Sequence, residues 1–248
     1  MEFFSKKRIF TYNELYEFIE QKDNIKKTKA NISSLTKNIL TQYMEKEYIV
    51  RIKKNLYCAI SFETRDIIPS KYEIASEITK KSFVGLHSAM EYYGYSNQVY
   101  NEAIVYSYKY KFNDFEFEGN TYRYKSSWTD EFIIEDKNVF VTSLERTIVD
   151  LIDTLKSYDD YEELRNYLDL VPAIKGDNIL EILKSRDKQV LYNKVGYIIK
   201  DYIDQYLLTE DHLNELKKHI TKSRKYIINE PSRLNDYNKE WHLYIFEH

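Results

Sequence analysis

The chain has 248 residues, with 37 Lys and Arg against 40 Asp and Glu, 43% hydrophobic residues and one cysteine, Cys58. This length and hydrophobic content suffice for one large domain or two small ones, and a single cysteine excludes an intrachain disulfide framework. No apolar run approaches the roughly 20 residues that span a bilayer, and residues 1–10 lack the apolar region of a signal peptide, so we expect a cytoplasmic protein with no membrane partner.

The charge is unevenly distributed along the chain. Residues 1–60 contain twelve basic and seven acidic residues and carry +5, whereas residues 61–248 carry -8. The segment from Lys22 to Lys54 alone carries +6. A positive charge of this density is typical of a surface that binds a polyanion, although an ordinary solvated face has the same composition.

The first amphipathic helix of the basic region is predicted after Phe10. Thr11 and Glu14 have the spacing of a capping box, in which each side chain accepts a backbone N–H at the start of a helix. Apolar residues then follow at spacings of three and four. The pattern predicts a helix that begins at this box and ends near Asp23.

A second helix is predicted after a polar link over residues 21–30, with Ser33 or Ser34 as its cap. One face of this helix is apolar, with Leu35, Ile39, Leu40, Tyr43 and Met44. The other face carries short donors and acceptors, one cation and no acid, which is the chemistry that contacts base edges and phosphates. Its residues are Ser34, Thr36, Lys37, Asn38, Thr41 and Gln42.

A basic hairpin is predicted next, because two β-branched and aromatic runs, 48–52 and 56–60, flank Lys53, Lys54 and Asn55. Helix, link, polar-faced helix and basic hairpin in this order predict a winged helix-turn-helix. In that fold the second helix enters the major groove and the hairpin, or wing, contacts adjacent phosphates. A winged helix that docks a protein partner instead of DNA is the alternative.

The predicted fold class is α+β with two domains. The winged helix-turn-helix covers residues 1–62, and a mixed α+β domain covers residues 69–248. Within the second domain, residues 70–156 combine helices with a central antiparallel hairpin or sheet, and residues 157–248 are mainly helical with terminal strands.

The central hairpin is predicted between Phe112 and Lys125, with Gly119 and Asn120 as its two-residue loop. That loop would pair Phe117 with Tyr122. A further capping box at residues 142–145 predicts a helix after the sheet, followed by four helical stretches: 161–168, 177–184, 190–208 and 209–220. Two short β-like segments are expected at 226–228 and 241–246.

A possible second basic patch follows the last helix. The segment 217–225 contains five basic residues and no acid: Lys217, Lys218, Lys222, Arg224 and Lys225. These residues could contact phosphate. Cations are also favourable at a helix C-terminus because of the helix macrodipole, and this is the simpler explanation.

No catalytic residue, metal site or cofactor is expected. Five scattered glycines supply neither a P-loop nor a dinucleotide fingerprint, and the five histidines lack paired spacing. The one enzyme alternative is a metal-dependent nuclease. It would use Glu135 and Lys137 with Asp114 or Asp130, a pattern that arises by chance in a chain with 31% charged residues.

Several motifs together resemble the AbiEi-like antitoxins of type IV (abortive infection) toxin–antitoxin systems. They span nearly the whole chain: 10–15 (FTYNEL), 55–60 (NLYCAI), 85–89 (GLHSA), 141–151 (VTSLERTIVDL) and 238–241 (NKEW). The run over 141–151 is the most specific of them.

The resemblance implies a winged-helix N-domain that binds inverted repeats in its own promoter, on double-stranded DNA. It also implies a C-domain that neutralises a cognate nucleotidyltransferase toxin, without catalysis. By motif match, the DNA contacts fall on the polar helix face and on Lys53 and Lys54. The family's wing usually carries a glycine where Asn55 stands, which Asn can replace because it accepts positive φ. Arg146 is expected to hold a buried carboxylate.

Overall fold

The computed structural model describes residues 2–22, 28–228 and 230–246. Within these ranges the chain forms ten α-helices and twelve strands, which are arranged in three sheets. The predicted α+β class is therefore confirmed. None of the helices in the described ranges combines the length and the apolar character that crossing a membrane requires.

In the N-terminal unit, residues 2–60, the described ranges 2–22 and 28–60 form three helices and a three-stranded antiparallel sheet. Its elements are α1 (Glu2–Lys6), β1 (Ile9–Thr11), α2 (Tyr12–Lys22), α3 (Lys29–Glu45), β2 (Ile49–Lys53) and β3 (Leu56–Ala59). The strands lie in the order β1-β3-β2. The predicted capping box is present. The backbone N–H of Thr11 donates to Glu14 Oε2 at 2.7 Å, and the backbone N–H of Glu14 donates to Thr11 Oγ1 at 3.2 Å.

The start of α3 differs from the prediction. The helix begins at Lys29 and its cap is Thr28, whose hydroxyl accepts the N–H of Asn31 at 3.4 Å. Ser33 and Ser34 therefore lie inside the helix. Thr28 has the same capping chemistry as serine and is followed by Lys29 and Ala30, which favour a helix, so α3 starts five or six residues earlier than predicted, about one and a half turns. Residues 23–27 of the predicted link lie outside the described residues.

The central sheet has six strands in the order β6-β7-β5-β4-β9-β8. Its elements and flanking helices are α4 (Lys71–Glu77), β4 (Ser82–Val84), α5 (Leu86–Tyr92), β5 (Glu102–Ser107), β6 (Phe115–Phe117), β7 (Asn120–Ser126), β8 (Ile133–Asp136) and β9 (Val139–Thr142). The β5–β7 and β4–β9 pairs are parallel, and the other pairs are antiparallel. Strands β4 and β5 are almost wholly buried at the centre.

The register of the β6–β7 hairpin differs from the prediction by two residues. Phe115, not Phe117, lies opposite Tyr122, because the loop is Glu118–Gly119. Both loop residues have positive φ, 47° and 71°, as a type I′ turn requires, and glycine takes the second position. A shift of two residues leaves the same side chains on each face, so the aromatic face survives.

The C-terminal part is mainly helical and contains the largest apolar cluster. Its elements are α6 (Leu144–Thr154), α7 (Tyr158–Leu170), α8 (Gly176–Arg186), α9 (Gln189–Ile199), α10 (Glu210–His219), β10 (Lys225–Tyr226), β11 (Asp236–Asn238) and β12 (Leu243–Ile245). The helix predicted over 190–208 ends at Ile199 and continues as a single 3₁₀ turn over 200–202.

Apolar contacts cross the predicted boundary between residues 62 and 69. Ile52, Leu56 and Cys58 of the β2–β3 hairpin belong to the same buried cluster as Ile74 of α4 and Val105 of β5. Cys58 is fully buried, and this burial raises the pKa of its thiol to about 12. The hairpin is therefore packed against the body of the protein, which we define as residues 69–246.

Candidate nucleic-acid interface

Helix α3 is held by an apolar stripe that faces the N-terminal core. Ile32 and Leu40 are buried at positions four residues on either side of Thr36. Thr36 shares their face and is 0% exposed, and its hydroxyl donates to the backbone oxygen of Ile32 at 2.8 Å. The predicted DNA contact of Thr36 is wrong, because a side chain on the buried stripe cannot reach a base or phosphate.

The opposite side of α3 presents two polar rows at helical spacing. Ser34, Asn38 and Gln42 form one exposed row at intervals of four residues, and Lys37 and Thr41 belong to the adjacent exposed row. Five of the six predicted helix residues are therefore accessible on one side of α3. Side chains of this kind can donate to phosphates and read base edges.

The β2–β3 turn lies beside α3. Lys54 and Asn55 are both exposed at its tip, and Asn55 has a φ of 65°. The backbone oxygen of Asn55 accepts the N–H of Tyr12 at 3.2 Å, which fixes the turn to the start of α2. The expected tolerance of Asn for positive φ at this position is confirmed.

A surface groove of about 680 Å³ lies between α3 and this turn. It is lined by Tyr12, Ser33, Lys37, Leu40, Thr41, Met44, Asn55 and Tyr57. Helix and turn therefore border one concave surface. The sequence analysis did not predict that Ser33 and Tyr12 line this groove, where their hydroxyl groups lie 3.0 Å apart. Ser33 could have been predicted, because it lies four residues before Lys37 and therefore on the same row of the helix.

Lys53 does not join Lys54 at the tip of the turn. Its ammonium lies 4.9 Å from the ring centroid of Phe112 and 5.3 Å from that of Phe115. Burial lowers the pKa of Lys53. We therefore correct the predicted phosphate contact of Lys53, because its charge is directed at the aromatic rings of the body.

The second predicted basic patch is partly neutralised by ion pairs. Lys217 lies 2.6 Å from Glu240 and Lys218 lies 2.6 Å from Glu215. Arg224 donates to the hydroxyl of Tyr244 at 3.2 Å. The other two residues of the predicted basic patch are Lys222 and Lys225. The positive charge here is weaker than the sequence suggested, and a role in phosphate contact stays a prediction.

The sequence motif over 141–151 forms the start of α6 and its contacts with the sheet. Arg146 is fully buried, and its Nε donates to Asp150 Oδ2 at 3.4 Å. Its other nitrogens donate to Ser127 Oγ at 2.6 Å and to the backbone oxygen of Glu131. The expectation that Arg146 holds a buried carboxylate is confirmed.

The carboxylates of the nuclease alternative are engaged separately. Asp130 pairs with Lys81 at 2.8 Å, and Asp114 accepts the N–H of Tyr124 at 2.8 Å. Asp136, which lies between Glu135 and Lys137 and was not one of the predicted nuclease residues, accepts the hydroxyl of Tyr92. Among the described residues, no three His, Cys, Asp or Glu side chains lie close enough together to hold a metal ion.

Comparison with known proteins defines the fold but not a family. No protein-family model matches the sequence, and no curated protein matches it. The crystal structure of the RV2827C protein from Mycobacterium tuberculosis is similar, with a TM-score of 0.62 and 11% sequence identity over 96% of this chain and 86% of that one. At this identity the similarity establishes a shared fold alone.

Proposed function

We propose that the N-terminal unit is a winged helix-turn-helix that binds double-stranded DNA in the promoter of its own operon. The observation that carries this proposal is the shared groove, where Lys37 and Thr41 of α3 face Asn55 of the turn. The element order and the β1-β3-β2 sheet support it. In this arrangement α3 enters the major groove and the turn lies over a flanking phosphate.

The exposed side chains have distinct expected roles in this complex. Asn38 and Gln42 carry amides, which pair in bidentate fashion with the N6 and N7 atoms of adenine. Lys54 supplies a point charge for a phosphate, and Lys37 for a phosphate or a guanine edge. Ser34 and Thr41 complete the polar surface with hydroxyls. Inverted repeats would then be bound by two copies of the chain.

The autorepressor would also be the antitoxin of a type IV toxin–antitoxin system, with a nucleotidyltransferase toxin as functional partner. This part rests on the motif resemblance. It is supported by the position of the most specific motif, 141–151, which supplies the buried Arg146 and Asp150 at the junction of sheet and helices. The toxin-neutralising part would thus be the body.

Fluorescence anisotropy with a labelled duplex tests the DNA proposal. The duplex would cover the region upstream of the gene, with a shuffled duplex of equal composition as reference. Asn38→Ala and Gln42→Ala each remove one bidentate contact with a base. Each substitution should therefore reduce the difference in binding free energy between the promoter duplex and the shuffled duplex by about 1–3 kcal/mol. Asn214→Ala removes an equally exposed amide from α10 and is the matched control. Equal effects of all three substitutions would contradict the proposal.

The alternative is a protein-docking module. One observation favours it. Because the Lys53 ammonium contacts the Phe112 ring, the surface around the turn has one fewer accessible positive charge for a phosphate. Pull-down of the neighbouring operon product after DNase treatment distinguishes the two functions. Under the DNA proposal, Lys37→Ala with Lys54→Ala weakens promoter binding and leaves this capture unchanged. Loss of DNase-insensitive capture with the same variant would favour the alternative.

A further inference from the structure

A small cavity of about 260 Å³ lies in the body, far along the chain from the proposed DNA interface. It is bounded by β5 and β7 of the sheet, by the start of α5 and by the facing parts of α6 and α7. Its volume is below the roughly 300–1,000 Å³ of pockets that hold drug-sized ligands. A ligand of this cavity must therefore be small.

One wall of the cavity is built from a strained backbone. Leu86 has a φ of 53°, in the left-handed region that is unfavourable for a non-glycine residue. The preceding Gly85 has no room for a side chain, since a Cβ there would lie 2.2 Å from the ring of Tyr106. Strain of this kind clusters at binding sites. The wall belongs to the 85–89 motif, which the proposed DNA function does not use.

The two carboxylates that line the cavity already have partners. Asp160 accepts the backbone N–H groups of Lys156 and Ser157, at 2.9 and 3.1 Å, at the start of α7. Glu163 accepts the hydroxyl of Tyr167 at 2.8 Å and also that of Tyr100. Both carboxylates keep their negative charge, but the hydrogen bonds that they accept come from backbone N–H and tyrosine hydroxyl groups and not from the lysine ammonium groups of the cavity.

Two lysines on the cavity have no such partner. Neither Lys125 nor Lys156 makes a side-chain hydrogen bond or ion pair within the described ranges. Burial lowers the pKa of Lys125 and the nearby charge of Lys156 lowers it further, whereas the negative charges of Asp150 and Asp153 raise it. The two lysine charges repel each other, and an anion held between the two ammonium groups would relieve this repulsion.

We propose that this cavity binds a small molecule through a phosphate group that Lys125 and Lys156 hold. The group would accept from both ammonium groups and relieve their mutual repulsion, and the apolar side chains of Leu151 and Leu155 would cover the rest of the ligand. The source of the phosphate, a free ion or a small phosphate ester, does not alter this chemistry.

Isothermal titration calorimetry of the full chain with inorganic phosphate, at constant ionic strength set with chloride, tests the proposal. We expect saturable binding at one site per chain. Lys125→Met with Lys156→Met should weaken it at least tenfold, because the variant loses both charged hydrogen bonds to the phosphate. Lys80→Met with Lys239→Met removes two exposed lysines outside the cavity and should leave binding unchanged.

Two further variants separate this site from folding effects and from DNA binding. Lys156 is exposed, so Lys156→Glu should keep the wild-type melting temperature and still weaken phosphate binding. Lys37→Ala with Lys54→Ala should bind phosphate as the wild type does. Absence of binding by the wild type, or equal binding by the Lys156→Glu variant, would overturn the proposal. Loss of binding in the Lys37 and Lys54 variant would overturn it as well.

Discussion

The ammonium of Lys53 lies 4.9 Å from the centre of the Phe112 ring, so a cation–π contact joins the β2–β3 hairpin to the segment that leads into β6 of the central sheet. The adjacent Lys54 is exposed at the same turn. Two neighbouring lysines, which the sequence does not distinguish, therefore have different surroundings. One contributes to the packing of the hairpin on the body, and the other remains accessible to a ligand.

Substitution of these lysines should separate stability from affinity. Lys53→Ala should lower the free energy of unfolding by about 0.5–1 kcal/mol, because it removes the cation–π contact and the packing of the alkyl stem. Lys54→Ala should leave stability within about 0.5 kcal/mol of the wild type, as exposed substitutions do. Urea denaturation of both variants measures the difference. Equal stability of the two variants would show that the aromatic contact contributes nothing.

The conformation of Asn55 predicts an asymmetric response to substitution. Its φ of 65° suits Asn and Gly but penalises a Cβ-bearing residue without a polar group, by roughly 1–2 kcal/mol. Asn55→Ala should therefore destabilise the protein by about 1 kcal/mol, whereas Asn55→Gly should be close to neutral. Thermal unfolding of the pair checks this. A glycine variant as unstable as the alanine variant would argue against the left-handed turn.

Lys194 in α9 should make stability depend on pH. It is 8% exposed, and burial lowers its pKa to about 8. The folded protein therefore holds this proton less tightly than the unfolded chain, whose lysines titrate near pH 10.4. Burying the charged form costs stability below pH 8, and that cost disappears as the pH rises from about 8 towards 10.4.

Comparison of wild type with Lys194→Met isolates this effect from the many tyrosines. Methionine has a similar length and no charge, so the variant should be more stable than the wild type at pH 7. Its advantage should shrink as the pH rises, by up to about 1.4 kcal/mol per pH unit. Guanidinium denaturation from pH 7 to 10 measures the difference. A difference that stays constant over this range would show that Lys194 does not titrate there.

Arg146 should be among the most sensitive positions in the body. Arg146→Ala would leave Asp150 buried without its ion-pair partner, which typically costs about 3–5 kcal/mol. Arg146→Met with Asp150→Leu removes both charges and should cost much less. Arg165→Ala, at an exposed pair 3.9 Å from Asp201, is the control and should change stability by less than about 1 kcal/mol. If the Arg146→Ala variant were at least as stable as the variant with both Arg146→Met and Asp150→Leu, the result would contradict this account.

The sequence predicted local elements better than the contacts between them. The capping box at Thr11 and the turn at Asn55 depend on the residues themselves, and both are as predicted. Thr36 could also have been placed correctly, since it lies four residues from both Ile32 and Leu40 on the apolar stripe. Its polar side chain suggested exposure, but a hydroxyl can donate to its own helix backbone and so be buried.

The burial of Lys53 could not have been predicted from the sequence. Phe112 and Phe115 lie about sixty residues further along the chain, and only the packing of the hairpin on the sheet brings them together. The same holds for β11, whose polar sequence, Asp-Tyr-Asn, becomes a strand because it pairs with β12. Tertiary context decides the structure of such segments.

The salt dependence of promoter binding tests the central claim most directly. Measured between 50 and 200 mM salt, the logarithm of the affinity should fall linearly with the logarithm of salt concentration. Lys37→Ala with Lys54→Ala should reduce this slope by about two units if each lysine neutralises one phosphate, whereas Lys53→Ala should leave it unchanged. An unchanged slope in the double variant, or no affinity of the wild type for the promoter duplex, would contradict the account.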